Sequence, residues 1–158
     1  MDTDVSDDVK KDDSLWKVRS LRDRIRTDCL NHVRPAVVSI DKQIMQFTGM
    51  CRMKQYVPNK PDPIGLKNFV AARPDGLVVD FVVYQGVNSF RPVPLEPKLG
   101  VSGTVVAHLS ESFASGTRIY CDRYFTSVPL TDYMLKKSMY VTGTMIKITA
   151  TKAGVQHV

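Results

Sequence analysis

The sequence has no run of about 18 apolar residues, so no stretch of it reads as a membrane-spanning helix. Its opening segment, MDTDVSDDVKKDD, lacks the apolar centre of a secretory signal. Cysteine is scarce. Cys29, Cys51 and Cys121 are odd in number, far apart and free of any CxxC pairing or nearby histidine pair. That pattern argues against zinc in this segment and against a disulfide framework, and fits reduced thiols in a cytosolic or nuclear compartment. His32, His108 and His157 form no ligand pattern, and no internal repeat is present.

What is present is enough for one domain with a core: 158 residues, 43% of them hydrophobic and 24% charged. The net charge of +6 is unevenly spread. Residues 1–13 hold six Asp and two Lys, so residues 14–158 carry +10. A basic body behind an acidic tail points to a polyanionic partner, with nucleic acid the first candidate. The tail itself, polar and without periodicity, is expected to be disordered.

From Ser14 the pattern becomes helical. Val18, Leu21, Ile25 and Cys29 recur at helical spacing and are expected to face inward, with Ser14 as cap and Pro35 as stop. Arg19, Arg22, Arg24 and Arg26 fall largely elsewhere on the wheel, where a solvated polar face is preferred over a DNA-binding one. AVVSIDKQI (36–44) reads as a buried strand with Asp41 near its end, and a short strand is expected around Met53 to Tyr56. KNFVAA and LVVDFVVY, separated by the turn RPDG, should pair as an antiparallel hairpin. A Pro-rich loop leads to a helix from about Ser102 to Phe113, with Val105, Leu109 and Phe113 as its inward stripe. GTRIYCDRYF follows as a strand. Ser127 then caps a helix carrying Pro129 in its first turn and Leu130, Tyr133 and Met134 on its inner side. MYVTGTMI is the last strand, and KITATKAGVQHV shows no clear organisation.

This order is that of an α/β fold with strand–helix–strand crossovers. If the strands of Asp41 and Asp122 lie side by side, two carboxylates meet. Each then raises the pKa of the other unless a cation neutralises them. Mg²⁺ suits such a place, because it takes hard oxygen ligands and keeps several waters. Asp80, in LVVDFVVY, is a third acid by pattern, with the solvated face of an outer strand as its preferred reading. Lys60 and Lys67, in YVPNKPDPIGLK, either grip phosphates or stand in a Pro-stiffened loop that sets the entry of the next strand. Tyr124 and Phe125 are candidates for base stacking, though packing of Phe125 under the following helix is preferred.

SIDKQI, YVPNKPDPIGLKNFV, DFVVYQG and IYCDRYFTSVPL, in that order and spacing, resemble the piggyBac family of transposases and the genes derived from them. The likeness covers about residues 15–146. It implies an RNase H-like mixed sheet with flanking helices, here a partial catalytic core over residues 14–146, between the tail at 1–13 and a divergent segment at 147–158. It also implies three aspartates that hold divalent metal, Mg²⁺ or Mn²⁺, for DNA cleavage and strand transfer. Asp41 and Asp122 match the first two, and the third has no counterpart in this sequence. Nuclear location, DNA, and a second copy or another transposase as partners follow from the same likeness. Lys42 stands where the family commonly has an acid, and Arg123 where it commonly has Asn. Strand alternation should turn both away from the aspartates, leaving Arg123 as a further candidate for DNA. Without the third carboxylate the chain alone is expected to be inactive. A domesticated DNA-binding protein, or the product of a decayed element, is the rival reading.

Overall fold

The computed structural model describes residues 13–58, 63–86, 89 and 99–145. A short 3₁₀ turn, Trp16–Val18, runs into helix α1, Arg19–Asn31. Strands β1 (Val37–Gln46), β2 (Lys54–Tyr56), β3 (Ile64–Ala72) and β4 (Val78–Val83) follow. After them come α2 (Gly100–Ser110), β5 (Arg118–Cys121), α3 (Val128–Lys136) and β6 (Tyr140–Gly143).

All six strands join one mixed sheet in the order β2-β3-β1-β5-β6, and β4 takes the remaining length of the β3 edge beyond β2. β3 lies antiparallel to β1 and to β4, whereas β5 runs parallel to β1 and β6 parallel to β5. The chain therefore makes a hairpin where the turn is short and crosses over through a helix where the strands are parallel, as pairing geometry demands. In the hairpin, Arg73 N–H reaches Leu77 C=O at 2.9 Å, and Gly76 at φ +88° supplies the left-handed residue.

Alternation along β1 separates the two faces. Val38 and Ile40 are buried, and Ser39, Asp41 and Gln43 are exposed. The covered face joins Val38 and Ile40 to Phe69 and Ala71 of β3, Ile119 of β5, Val105, Val106 and Leu109 of α2, and Leu130 and Met134 of α3. Val105, Leu109 and Phe113 form the inward stripe that their spacing predicts, although α2 itself stops at Ser110. Ser127 caps α3 as expected: its Oγ accepts the Leu130 N–H at 3.3 Å, and Pro129 lies in the first turn. On the other face Tyr120 and Tyr140 stand exposed beside Asp41's row.

Helix α1 departs from expectation. Val18, Leu21 and Ile25 are 48%, 62% and 46% exposed, while Arg22, Arg26 and Cys29 turn toward the protein. The cause is electrostatic. Asp80 is fully buried rather than solvated, and Arg26 grips it with Nε at 2.7 Å and Nη2 at 3.2 Å. A buried carboxylate without a cation would cost more than leaving three aliphatic side chains in water. Arg34 strengthens the attachment by donating to Val79 C=O at 3.0 Å and to Cys29 C=O at 2.5 Å. Nor is Ser14 the cap. The Asp13 carboxylate accepts the Leu15 N–H at 3.0 Å and pairs with Arg19, so it anchors the 3₁₀ turn instead. The expectations for residues 1–12, 59–62, 87–88, 90–98 (most of the Pro-rich loop) and 146–158 lie outside the described residues.

Candidate metal centre on adjacent parallel strands

The register of β1 against β5 runs Val37 to Arg118, Val38 to Ile119, Ser39 to Tyr120 and Ile40 to Cys121. The ladder ends there, one residue short of Asp41 on β1 and of Asp122 just beyond β5. Neighbouring strands lie about 4.8 Å apart, so 80 residues of intervening chain do not keep the two acids apart. Both are exposed. The side-by-side strands on which such a meeting depends are present.

The two carboxylates are held differently. Asp41 is not near the end of its strand, because β1 continues to Gln46 in its pairing with β3. Its Oδ1 accepts the Lys42 N–H at 2.7 Å. Asp122 stands just past Cys121, where the strand gives way to a turn. There its Oδ1 accepts the Tyr124 N–H at 2.9 Å, while its backbone C=O accepts the N–H of Phe125 and of Thr126, each at 3.2 Å. Thr126 Oγ1 donates to the same carbonyl at 2.9 Å. β5 is thus shorter than the run GTRIYCDRYF predicts. Phe125 leaves the strand direction to bury itself completely in the core, and Tyr124 stays 37% exposed.

Sequence reasoning missed two supports of this turn. A Cβ on Gly143 of β6 would collide with Thr126 Oγ1 and with the Cys121 carbonyl, so the bare glycine lets β6 close on the turn that carries Asp122. Glycine inside the apolar run YVTGTMI is the available signal, since it marks a close backbone approach. Thr126 could be found only as one of the two hydroxyl residues after the aromatic pair.

Of the remaining candidates, Lys42 projects from the face opposite Asp41, with its Nζ 4.4 Å from the centre of the Tyr124 ring. Alternation turns it away as expected. Lys67 shares Lys42's face and lies 5.0 Å from the Tyr84 ring. Burial, and then the charge of Lys42, hold its ammonium below the usual lysine range. Arg123 is exposed in the turn. Lys60 lies outside the described residues. Asp80 belongs to Arg26 and not to this site. Cys121 sits beside Ile40 on the covered face, where burial pushes its thiol up and away from the thiolate form that binds metal.

Two neighbouring hard-oxygen ligands that retain unshared lone pairs fit part of a Mg²⁺ or Mn²⁺ site. Among the described residues, no group of three or more His, Cys, Asp or Glu is arranged to hold a metal ion.

The family model described as Transposase IS4 matches residues 2–153. No curated protein matches the chain. Among solved structures, a piggyBac transposase determined by cryo-EM in a synaptic complex with hairpin DNA superposes with a TM-score of 0.80 at 26% identity. That match covers 93% of this chain and 31% of the other, so the chain spans about a third of the length of that transposase. With the family model matching nearly its whole length and the sheet superposing on that structure, the chain belongs to the Transposase IS4 family and is a piggyBac-type segment of an RNase H-like catalytic domain.

Proposed function

We propose that this chain is a transposase-derived DNA-handling domain in which Asp41 and Asp122 are two of the carboxylates that hold divalent cations. The observation that supports this reading is the parallel pairing of β1 and β5, which runs up to Ile40 and Cys121, the residues just before the two acids. Asp41 and Asp122 would hold such cations, which would supply charge stabilisation for displacement at phosphorus. The chain's own part is to fix the ligands: the hydrogen-bonded core of the sheet fixes Asp41, and the Asp122–Thr126 turn, closed against Gly143, fixes Asp122. Two carboxylates without a third bind Mg²⁺ weakly, so the isolated chain is proposed not to cut DNA. Its partner is DNA and its setting the nucleus.

The test is a Mn²⁺ titration followed by amide resonances. Paramagnetic broadening should centre on Asp41 and Asp122 and vanish in Asp41→Asn and Asp122→Asn. Broadening that spreads elsewhere would defeat the assignment. Cleavage of supercoiled DNA by the isolated chain with Mn²⁺, abolished by Asp122→Ala, would refute its proposed inactivity.

A further inference from the structure

Behind Asp41, on the other side of the sheet, β1 and β3 bring two lysines together. Register sets Lys42 opposite Phe69 and Ile44 opposite Lys67, so the lysines are diagonal neighbours on one face. Two tyrosines flank them. Tyr84 is placed by its N–H, which donates to Lys67 C=O at 2.8 Å, and its ring lies 5.0 Å from Lys67 Nζ. Tyr124 is placed by its N–H on the Asp122 carboxylate, and its ring lies 4.4 Å from Lys42 Nζ. Phe69 lies between the two tyrosines. Its ring is edge-on to Tyr84 at 5.8 Å and nearly parallel to Tyr124 at 6.5 Å.

The cluster holds two positive charges, and among the described residues neither ammonium forms an ion pair. The aromatic faces ease those charges without neutralising them. Burial and the neighbouring ammonium both act against the protonated form of Lys67, as expected where a counter-ion is wanted. The anion that suits two separate ammonium point charges beside a partly exposed tyrosine is the phosphodiester of a nucleic-acid strand, whose unpaired base would stack on the part of the ring that Lys42, Phe69 and Phe125 leave open. Tyr124 adds continuity, because it lies two residues beyond Asp122 and is bonded to that carboxylate. The cluster therefore adjoins the turn that carries Asp122.

We infer that Lys42, Lys67 and Tyr124 form a second nucleic-acid contact, in which the lysines each take a phosphate of one strand and an unpaired base stacks on Tyr124. This contact rests on the reading of DNA as the partner, but uses none of the metal-holding residues. It would hold a strand on the far side of the turn from the carboxylates.

The experiment is fluorescence anisotropy of a labelled single-stranded oligonucleotide and its duplex, in EDTA, with the full chain. The Lys42→Gln/Lys67→Gln double variant should bind the single strand at least about tenfold more weakly. Its salt slope should be shallower by about 1.4, which is 0.7 for each phosphate that is no longer neutralised. Lys42→Arg/Lys67→Arg should restore both affinity and slope, which separates an effect of charge from a failure to fold. Tyr124→Leu should weaken the single strand several-fold and leave the duplex unchanged. Lys136→Gln, at the exposed end of α3, should stay within about twofold of wild type.

Wild-type affinity and slope in the Gln double variant would overturn the inference, and so would a wild-type chain that binds neither DNA. If the Gln variant binds normally while Mn²⁺ still broadens Asp41 and Asp122, the lysine site falls and the metal reading stands. If the lysine effects appear and Mn²⁺ broadens neither acid, the lysine site stands without that reading.

Discussion

Asp80 and the Asp41–Asp122 pair sit in the same sheet and in similar apolar runs, LVVDFVVY and VVSIDKQI among them, yet they are opposites. Asp80 is fully buried, takes both arms of Arg26 and accepts the Phe81 N–H at 2.8 Å. Asp41 and Asp122 are exposed, each follows the last residue of the β1–β5 ladder, and each carboxylate accepts a backbone N–H from its own immediate neighbourhood. The charge of the first is answered from within the fold. The charges of the second pair are answered by no ion pair among the described residues. The difference lies in what each acid leaves undone: Asp80 has used its charge to fasten a helix, whereas Asp41 and Asp122 have spent theirs on no ion pair among the described residues.

The largest effect should come from breaking the answered acid. Arg26→Leu strands a buried carboxylate and should cost about 3–5 kcal/mol in urea-induced unfolding. Asp80→Ala should cost less, about 2 kcal/mol, because the Arg26 side chain is one-third exposed and regains water. The double variant Arg26→Leu/Asp80→Leu should recover most of the loss. If both single variants unfold at the wild-type midpoint, Asp80 is not the fastening that sets it apart from the pair.

That fastening also explains how much of the molecule is legible in its sequence. The sheet strands, the hairpin and the α3 cap follow from β-branched runs, a Pro-Asp-Gly turn and a Ser-x-Pro start, all of which act over a few residues. The crossover that sets β5 beside β1 is consistent with the order of elements, although that order does not by itself choose the neighbour. The facing of α1 does not follow. Its apolar spacing points Val18, Leu21 and Ile25 inward, but the decisive partner, Asp80, lies 54 residues beyond Arg26 in a run whose pattern suits a solvated acid. Helical periodicity records which side of a helix is greasier. It carries no record of a buried charge elsewhere that needs an arginine. The role of Gly143 is hidden for a similar reason, because the atoms it makes room for belong to a turn far away in sequence.

Asp13 stands between the two extremes, and its pH behaviour sharpens the comparison. Burial pushes its carboxyl up, but Arg19 and the Leu15 N–H together outweigh that and hold it below the usual carboxylate range. A folded-state value below the unfolded one means that the stabilisation is present above about pH 4, and is lost as pH falls through the depressed value. Asp13→Asn should therefore cost about 1 kcal/mol at neutral pH, discounted for the exposed Arg19, and the gap from wild type should close in acid. A gap that stays constant from neutral pH to below pH 3 would show that the carboxylate's charge is not what anchors the turn.

The smallest effect should belong to the unanswered pair. In EDTA, Asp41→Asn or Asp122→Asn removes one of two adjacent like charges and breaks no ion pair, so the urea midpoint should stay where it is or rise slightly. Adding Mn²⁺ separates the proteins. At a concentration equal to its dissociation constant, a cation that binds only the folded state adds about 0.4 kcal/mol to the wild type. The variants, each with one carboxylate left, should gain less at that concentration. The sign in EDTA decides the matter: a clear loss of stability there would mean that the fold already relies on these carboxylates, as it relies on Asp80, and the contrast between a fastened acid and an available pair would be gone.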